Sequence, residues 1–280
     1  MDKEKIKNVI IVVLLLVNAF LGALVVTDSA RSGAYSAAAE ESLLKALQAS
    51  DISLSDRSVL NISAIPACTI KRSLDKEQKL VSAVLGKVES RDQGGNIIMY
   101  YSKNGQACFR GTGDFEILME NNSVPAGEDL AETSKSFLKK LGIDMDADSA
   151  VVDHGSSGSS SVVTAVCRYA DRPIVNCAVK LTFSETNLLL VTGTCPLTAA
   201  SESAGGETLD TATAVMRLLD VLDSSGYMCS EIKNISHCYK MDAAASGEGT
   251  LTPLWHFSTD IGDFYLNGIT GKAETVTQKN

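Results

Sequence analysis

A serine that stands three residues before a lysine has its hydroxyl beside the amine when both lie on a helix, one turn apart. Ser136 with Lys139 and Ser42 with Lys45 are two such pairs. A serine nucleophile with a lysine base is an arrangement used for acyl transfer. The pattern recurs in the chain, Ser136 falls in the middle of a predicted helix, and "TGK" at 270–272 is a poor third element. These features favour ordinary helix surface over an active site.

Other motifs that could carry chemistry are incomplete. None of His154, His237 and His256 has a second His or Cys three or four residues away, the spacing of a metal site. Gly111–Gly113 lacks the third glycine and the following helix of a dinucleotide loop. Asp144–Asp148 resembles the start of a calcium loop but lacks its central Gly and terminal Glu. The sequence therefore predicts no enzyme activity, no cofactor and no metal.

Charge and composition exclude one large class of partners. The chain has 280 residues, a net charge of −9 and 45% hydrophobic residues. This length supports a sizeable core, whereas a nucleic-acid-binding protein needs a basic face that is not present here. The seven cysteines form no CxxC pair, and the spacing around a predicted turn makes Cys167 and Cys177 the one plausible disulfide.

The N-terminal region predicts a membrane anchor. Residues 1–8 contain Lys3, Lys5 and Lys7, and the uncharged segment Val9–Val26 follows. As a helix this segment would be about 27 Å long, enough to cross the hydrocarbon core. The positive-inside rule places the N-terminus in the cytoplasm and the main domain outside, at the cell membrane. A cleaved signal peptide is the alternative, although its apolar run would normally be shorter.

Two residues inside this segment suggest a contact with another helix. Asn18 carries an amide that is costly in hydrocarbon unless it finds a hydrogen-bond partner. Gly22 lies four residues later on the same helix face, where it would let a second helix approach. We expect Asn18 and Gly22 to form a partner-binding face within the membrane, with isolated tolerated residues as the alternative.

The remaining pattern predicts an α+β extracytoplasmic domain of antiparallel sheets with packed helices, in two related lobes. Residues 27–50 form a stalk and helix, and further helices are expected at 128–141 and 207–222. Asn104-Gly105 marks a hairpin. The Gly/Ser loop 154–161 would separate a first lobe, 51–153, from a second lobe, 162–280.

A stretch near the C-terminus, "PLWHFSTDIGDFYLNGITGK" (Pro253–Lys272), contains the only Trp of the chain. Two strands joined at "DIGD" would place Trp255 and Phe257 on one face by period-two alternation. Tyr265 and Asn267 would share a face of the second strand. The turn residues that follow include Asn267, Thr270 and Gly271. The pattern predicts a structural hairpin.

At this point the motifs resemble a known family, the YycI/YycH group of membrane regulators in Gram-positive bacteria. The anchor with its Asn, the hairpin "NIIMYYSKNGQACFRGTG", the strands "YADRPIVNCAVKLTF" and the terminal hairpin are similar in order. The terminal hairpin, which is also PepSY-like, is the most specific match, through Pro253, Trp255, Tyr265, Asn267, Thr270 and Gly271. The chain departs at Gly268, where the family usually has Ala.

The resemblance implies a non-enzymatic regulator in signal transduction at the cell envelope. Members pair with a sensor histidine kinase of a two-component system through the membrane helix and the extracellular domain. A homologous anchored regulator is a second implied partner. Two alternatives remain open: a secreted or anchored PepSY-like inhibitor or chaperone of a peptidase, and a cell-wall acyl-transfer enzyme that uses Ser136 and Lys139.

Overall fold

The computed structural model describes residues 40–56, 60, 62–120, 124–146, 149–154, 160–197, 200–243 and 248–275. The chain divides into two compact units, the first ending at Leu54 and the second beginning at Ser55.

The described part of the first unit is a helix followed by a short strand. Helix α1 covers residues 40–49, and strand β1 is Ser53–Leu54. An exposed ion pair of 2.8 Å joins Lys45 to Glu41 one turn earlier. The helix ends where the Ile52 amide donates to the Leu47 carbonyl at 2.9 Å.

The second unit consists mainly of strands. Its described helices are α2 (Leu74–Leu85), α3 (Leu130–Lys140) and α4 (Thr211–Ser225). Its described strands are β2 (Pro66–Lys71), β3 (Glu89–Gly94), β4 (Ile97–Ser102), β5 (Gly105–Arg110), β6 (Asp114–Met119), β7 (Val151–His154), β8 (Ser160–Tyr169), β9 (Arg172–Ser184), β10 (Leu188–Thr194), β11 (Ser201–Glu207), β12 (Glu231–Ala243), β13 (Glu248–Thr259) and β14 (Gly262–Asn267).

Eight of these strands form an antiparallel array in the order β7-β8-β9-β10-β6-β5-β4-β3. Tight turns set its register. Gly105 follows Asn104 in the β4–β5 turn with φ 145°, and a Cβ there would lie 2.1 Å from the Leu118 carbonyl oxygen. Ala170 and Asp171 both have positive φ, as a two-residue hairpin between β8 and β9 requires.

The second array has the order β11-β2-β13-β12, with β14 on the β2 side of β13. A parallel pairing of Tyr239 in β12 with Ile174 in β9 joins the two arrays into one sheet. The sheet curls as a half-barrel around a core of aliphatic and aromatic side chains, among them Phe183, Leu181 and Ile117.

The prediction of an α+β domain with two related lobes is wrong. The strands on either side of 154–161 belong to one hairpin, in which Val151 of β7 pairs with Thr164 of β8. Strand β6, before this loop, also pairs with β10, after it. Sequence-distant strands therefore share one curled sheet, and the helices lie against it without dividing it into lobes.

The predicted transmembrane helix, Val9–Val26, lies outside the described residues. None of the helices in the described ranges is long and apolar enough to cross a membrane. Helix α4 begins at Thr211, four residues later than predicted, because the Asp210 carboxylate accepts the Thr213 amide at 2.9 Å as its N-cap. Glu207, expected in that helix, belongs to strand β11.

Candidate functional site: the C-terminal hairpin

The candidate site is built on β13 and β14 with β12 alongside. Alternation along β13 sends Trp255 and Phe257 to the inner face, where both are buried with ring centroids 6.3 Å apart. His237 of β12 stands opposite Trp255 in the register, and their ring centroids are 3.9 Å apart. The inner face is therefore an aromatic cluster that contains one histidine.

His237 is held neutral by its surroundings. Its side chain is 1% exposed, and burial lowers its pKa to about 4. Neither ring nitrogen has a hydrogen bond of good geometry in the described chain, and the nearby backbone of Leu254 and Ser63 opposes the pKa shift only in part. His237 is therefore a neutral, buried imidazole packed on an indole at neutral pH.

The outer face of the same strands carries a polar row. Ser236 Oγ lies 3.3 Å from His256 Nδ1, and His256 Nε2 lies 3.0 Å from Asp263 Oδ1. The ring of Tyr265 stacks on the His256 ring with centroids 4.8 Å apart and planes 10° apart. Three adjacent strands thus supply a serine, a histidine and an aspartate in hydrogen-bonding sequence.

This row contains the residue types of a hydrolytic triad but not its surroundings. Acyl transfer also needs donors aimed at the developing oxyanion. Strand β13 is paired with β12 on one edge and with β14 on the other around His256, so its amides there face neighbouring strands. The geometry suits cross-strand fixation of three side chains better than attack on a substrate.

The other predicted nucleophile also lies on open surface. Ser136 and Lys139 both lie on the exposed side of α3, while Phe137 and Leu138 between them are buried. Ser42 is likewise exposed on α1. A nucleophile of this kind needs a shaped, water-poor cavity, which an open helix surface does not provide.

The turn after β14 is organised by Asn267. Its Oδ1 accepts the amides of Ile269 at 3.1 Å and Thr270 at 3.0 Å, and its carbonyl accepts the Gly271 amide at 2.8 Å. Its Nδ2 donates to Glu274 at 3.3 Å. The asparagine side chain is therefore fully used in closing the chain end.

Close packing fixes two of the neighbouring backbone positions. Gly268 donates its amide to the Pro253 carbonyl at 2.8 Å, and a Cβ at 268 would lie 2.6 Å from Thr208 Cγ2. Gly271 has φ 71°, and a Cβ there would lie 2.9 Å from Arg217 Cγ. The glycine at 268, the point where the chain departs from the YycI/YycH pattern, is thus required by its own packing.

Sequence reasoning missed the apolar tip, which we define as Tyr227, Met228 and Ile261. These side chains are 57%, 91% and 43% exposed. Tyr227 and Met228 lie on the loop after α4, and Ile261 lies on the β13–β14 turn. Asp260 connects the loop to the turn through hydrogen bonds. The Asp260 carboxylate accepts from Ser230 Oγ at 2.6 Å and from backbone amides of the same loop, and these bonds hold its pKa well below the usual range.

A buried ion pair was also missed. Arg72 Nε lies 2.6 Å from Glu77 Oε1 with both side chains less than one-tenth exposed, and Arg72 also donates to the carbonyls of Asn96 and Phe109. A cavity of about 420 Å³ adjoins this pair. The sequence contains a pattern that indicates this burial, since Glu77 precedes Val81 and Leu85 at helical spacing on the buried face of α2.

The structure holds all seven cysteines as thiols. Each lies in the described residues, and none forms a disulfide, so Cys167 and Cys177, the one plausible pair in the sequence, are not bridged. Six are buried, and Cys229 beside the apolar tip is half-buried. Burial and the Cys195 thiol raise the pKa of Cys167, with the hydrogen bond to Cys195 as the largest cause.

The six hairpin residues singled out from the sequence fall into three places. Trp255 and Pro253 are buried in β13, Tyr265 lies on the outer face, and Asn267, Thr270 and Gly271 belong to the closing turn. Asn18 and Gly22 lie outside the described residues. Among the residues that the structure describes, no group of three or more His, Cys, Asp or Glu side chains is arranged to hold a metal ion.

No family model matches this chain, and no curated protein matches it. Among solved structures, it is similar to the 1.45 Å crystal structure of an uncharacterized protein from Eubacterium rectale ATCC 33656. The two are 12% identical with a TM-score of 0.43, and the match covers 76% of this chain and 87% of the other. A likeness at this TM-score carries no argument about function.

Proposed function

We propose that this chain is a non-enzymatic, membrane-anchored extracytoplasmic regulator that modulates a sensor histidine kinase by direct contact. The observation that carries the proposal is the uncharged segment Val9–Val26 behind Lys3, Lys5 and Lys7. A segment of this length and charge flank is suited to span the bilayer and to leave the second unit outside.

The use of polar groups in the C-terminal hairpin supports a binding role. The Asn267 side chain closes a turn, and His256 and Asp263 are hydrogen-bonded to each other across strands. Each of these groups is already used in a hydrogen bond within the hairpin. The motif resemblance to the YycI/YycH group points to the same class of function.

Co-purification from membranes tests this proposal. The full-length chain, tagged at its C-terminus, is crosslinked in cells of its source, extracted in detergent and purified. We expect mass spectrometry to recover a sensor histidine kinase. Asn18→Leu should lower that recovery about threefold, since interhelical hydrogen bonds of this kind contribute roughly 0.6 kcal/mol. Phe20→Leu, on the opposite side of the predicted helix, is the matched control and should leave recovery unchanged.

Two outcomes would contradict the proposal. Recovery of the chain without any histidine kinase would remove the regulatory role. A mature N-terminus between Ala30 and Ala39, read by N-terminal sequencing, would show cleavage and favour a secreted PepSY-like inhibitor or chaperone of a peptidase instead.

A further inference from the structure

The apolar tip is a rigid feature of the second unit. Gly226 ends α4 in the left-handed conformation with φ 68°, and the Tyr227 amide donates to the Leu222 carbonyl at 3.0 Å. The Tyr227 ring then packs edge-on against Phe264 of β14 with centroids 5.7 Å apart. The side chains of the tip therefore project from a backbone that is already ordered.

Hydrogen bonds join the loop after α4 to the β13–β14 turn. The Asp260 carboxylate accepts the Ser230 amide at 3.1 Å and the Glu231 amide at 3.2 Å, and the Asp260 amide donates to the Glu231 carbonyl at 3.1 Å. The two segments that carry Met228 and Ile261 are thus ordered before any contact with a partner, which lowers the ordering cost of binding. Aromatic and Met side chains are enriched at protein–protein interfaces, and Tyr is also common among binding hot spots.

The charge around the tip indicates what kind of surface it meets. Its flanking segments, 223–233 and 259–264, contain four carboxylates and one cation, Lys233. An acidic rim is repelled by a bilayer that contains anionic lipid and is attracted by a protein surface with Lys and Arg. A second copy of the chain would bring the same acidic rim against itself.

The first residue of the second unit lies beside the tip. Ser55 Oγ donates to Glu231 Oε1 at 2.6 Å, and the Ser55 amide donates to the Ile232 carbonyl at 3.1 Å. The chain thus enters this unit beside the tip.

From these observations we infer that the apolar tip is the docking surface for the extracytoplasmic part of a membrane protein, at an apolar pocket rimmed by Lys and Arg. This inference rests on the proposed function, and the pocket belongs to the sensor kinase. Met228 fills the pocket, Tyr227 covers its edge, and the acidic rim pairs with the basic residues.

A photocrosslinking amino acid at position 228 of the full-length chain tests this inference in cells. The matched control is position 216, since Met216 is also exposed, at 44%, and lies on α4 about 16 Å along the helix direction from Tyr227. We expect position 228, but not 216, to crosslink to the histidine kinase. Met228→Asp should lower recovery of the kinase about tenfold, while Met216→Asp leaves it unchanged.

A second variant of the tip and the dependence of kinase recovery on salt test the docking surface independently. Ile261→Asp should lower recovery as Met228→Asp does, and raising the salt concentration should lower the recovery by the unaltered chain. Thermal unfolding of each variant shows whether the fold is retained.

The outcomes separate this inference from the proposed function. Equal recovery of the kinase with Met228→Asp would overturn the docking surface while leaving the regulatory role in place. Crosslinks from position 228 to lipid alone, or to a second copy, would also overturn it. If the unaltered chain recovers no kinase, the proposed function and this inference fail together.

Discussion

Protonation of the buried His237 should destabilise the second unit as the pH falls. Its pKa is about 4 in the folded chain, against about 6.5 for an unperturbed histidine. Above pH 6.5 the ring is neutral in both states and has no effect. Between pH 6.5 and 4 the unfolded chain binds a proton that the folded chain does not, so the free energy of unfolding decreases.

The size of the effect follows from the shift of about 2.5 pKa units. At roughly 1.4 kcal/mol per unit, His237 should remove about 3 kcal/mol of stability between pH 7 and pH 4. Carboxylates also titrate in this range, so the total loss alone does not identify the histidine. The difference in pH dependence between matched variants identifies the contribution of His237.

The assay uses urea unfolding of the full-length chain in detergent at several pH values, followed by fluorescence of the single tryptophan, Trp255. Its ring is next to His237, so the signal reports on the right part of the core. His237→Gln should lose about 3 kcal/mol less than the unaltered chain between pH 7 and pH 4. The control His154→Gln, at an exposed site, should behave as the unaltered chain. Equal pH dependence in all three proteins would refute the reasoning.

Three further predictions concern packing, charge and thiol access. Gly268→Ala should cost about 1–3 kcal/mol in chemical denaturation, because its new methyl group meets a side chain and a carbonyl at less than 3 Å. Glu77→Gln should cost about 3–5 kcal/mol by the same assay, because it leaves the charge of Arg72 buried without its carboxylate. A maleimide should label Cys229 in the native chain before any other cysteine, as read by mass spectrometry, because the other six are buried.

Each of these has its own control. Glu132→Gln removes a partner of an exposed ion pair on α3 and should cost less than about 0.5 kcal/mol. Cys229→Ser should abolish the early labelling. If the Gly268→Ala protein is as stable as the unaltered chain, the backbone at Thr208 moves aside. If several thiols are labelled at one rate, the sheet opens as a whole.

Local features of the fold were readable from the sequence because their causes are local. Asn104-Gly105 predicted the β4–β5 hairpin, since only a turn residue without a side chain fits there. Helix α3 was readable from its acidic first turn and the lysines of its last turn. The alternation of Trp255 and Phe257 predicted their common buried face.

The features that the sequence did not predict depend on contacts between segments that are far apart in the chain. The pairing of β6 with β10 joins residues that are far apart in the chain, from Leu190 with Leu118 to Thr194 with Asp114, and no periodicity encodes which strand lies beside which. The cross-strand neighbours His237 and Trp255 depend in the same way on the register of β12 against β13. A Gly/Ser run such as 154–161 indicates a loop, but not whether two lobes or two strands meet there.

The apolar tip shows how a local rule and a surface function become confused in a sequence. A helix that ends in a glycine is commonly followed by a hydrophobic residue that packs back on the structure. Tyr227 follows that rule, because its ring packs on Phe264, whereas Met228 directly after it does not and is 91% exposed. The packing of Tyr227 on Phe264 accounts for one hydrophobic residue of the turn, and the exposure of Met228 has no such local reason. Separating the two required the Asp260 hydrogen bonds, which join segments about thirty residues apart and exist only in the folded chain.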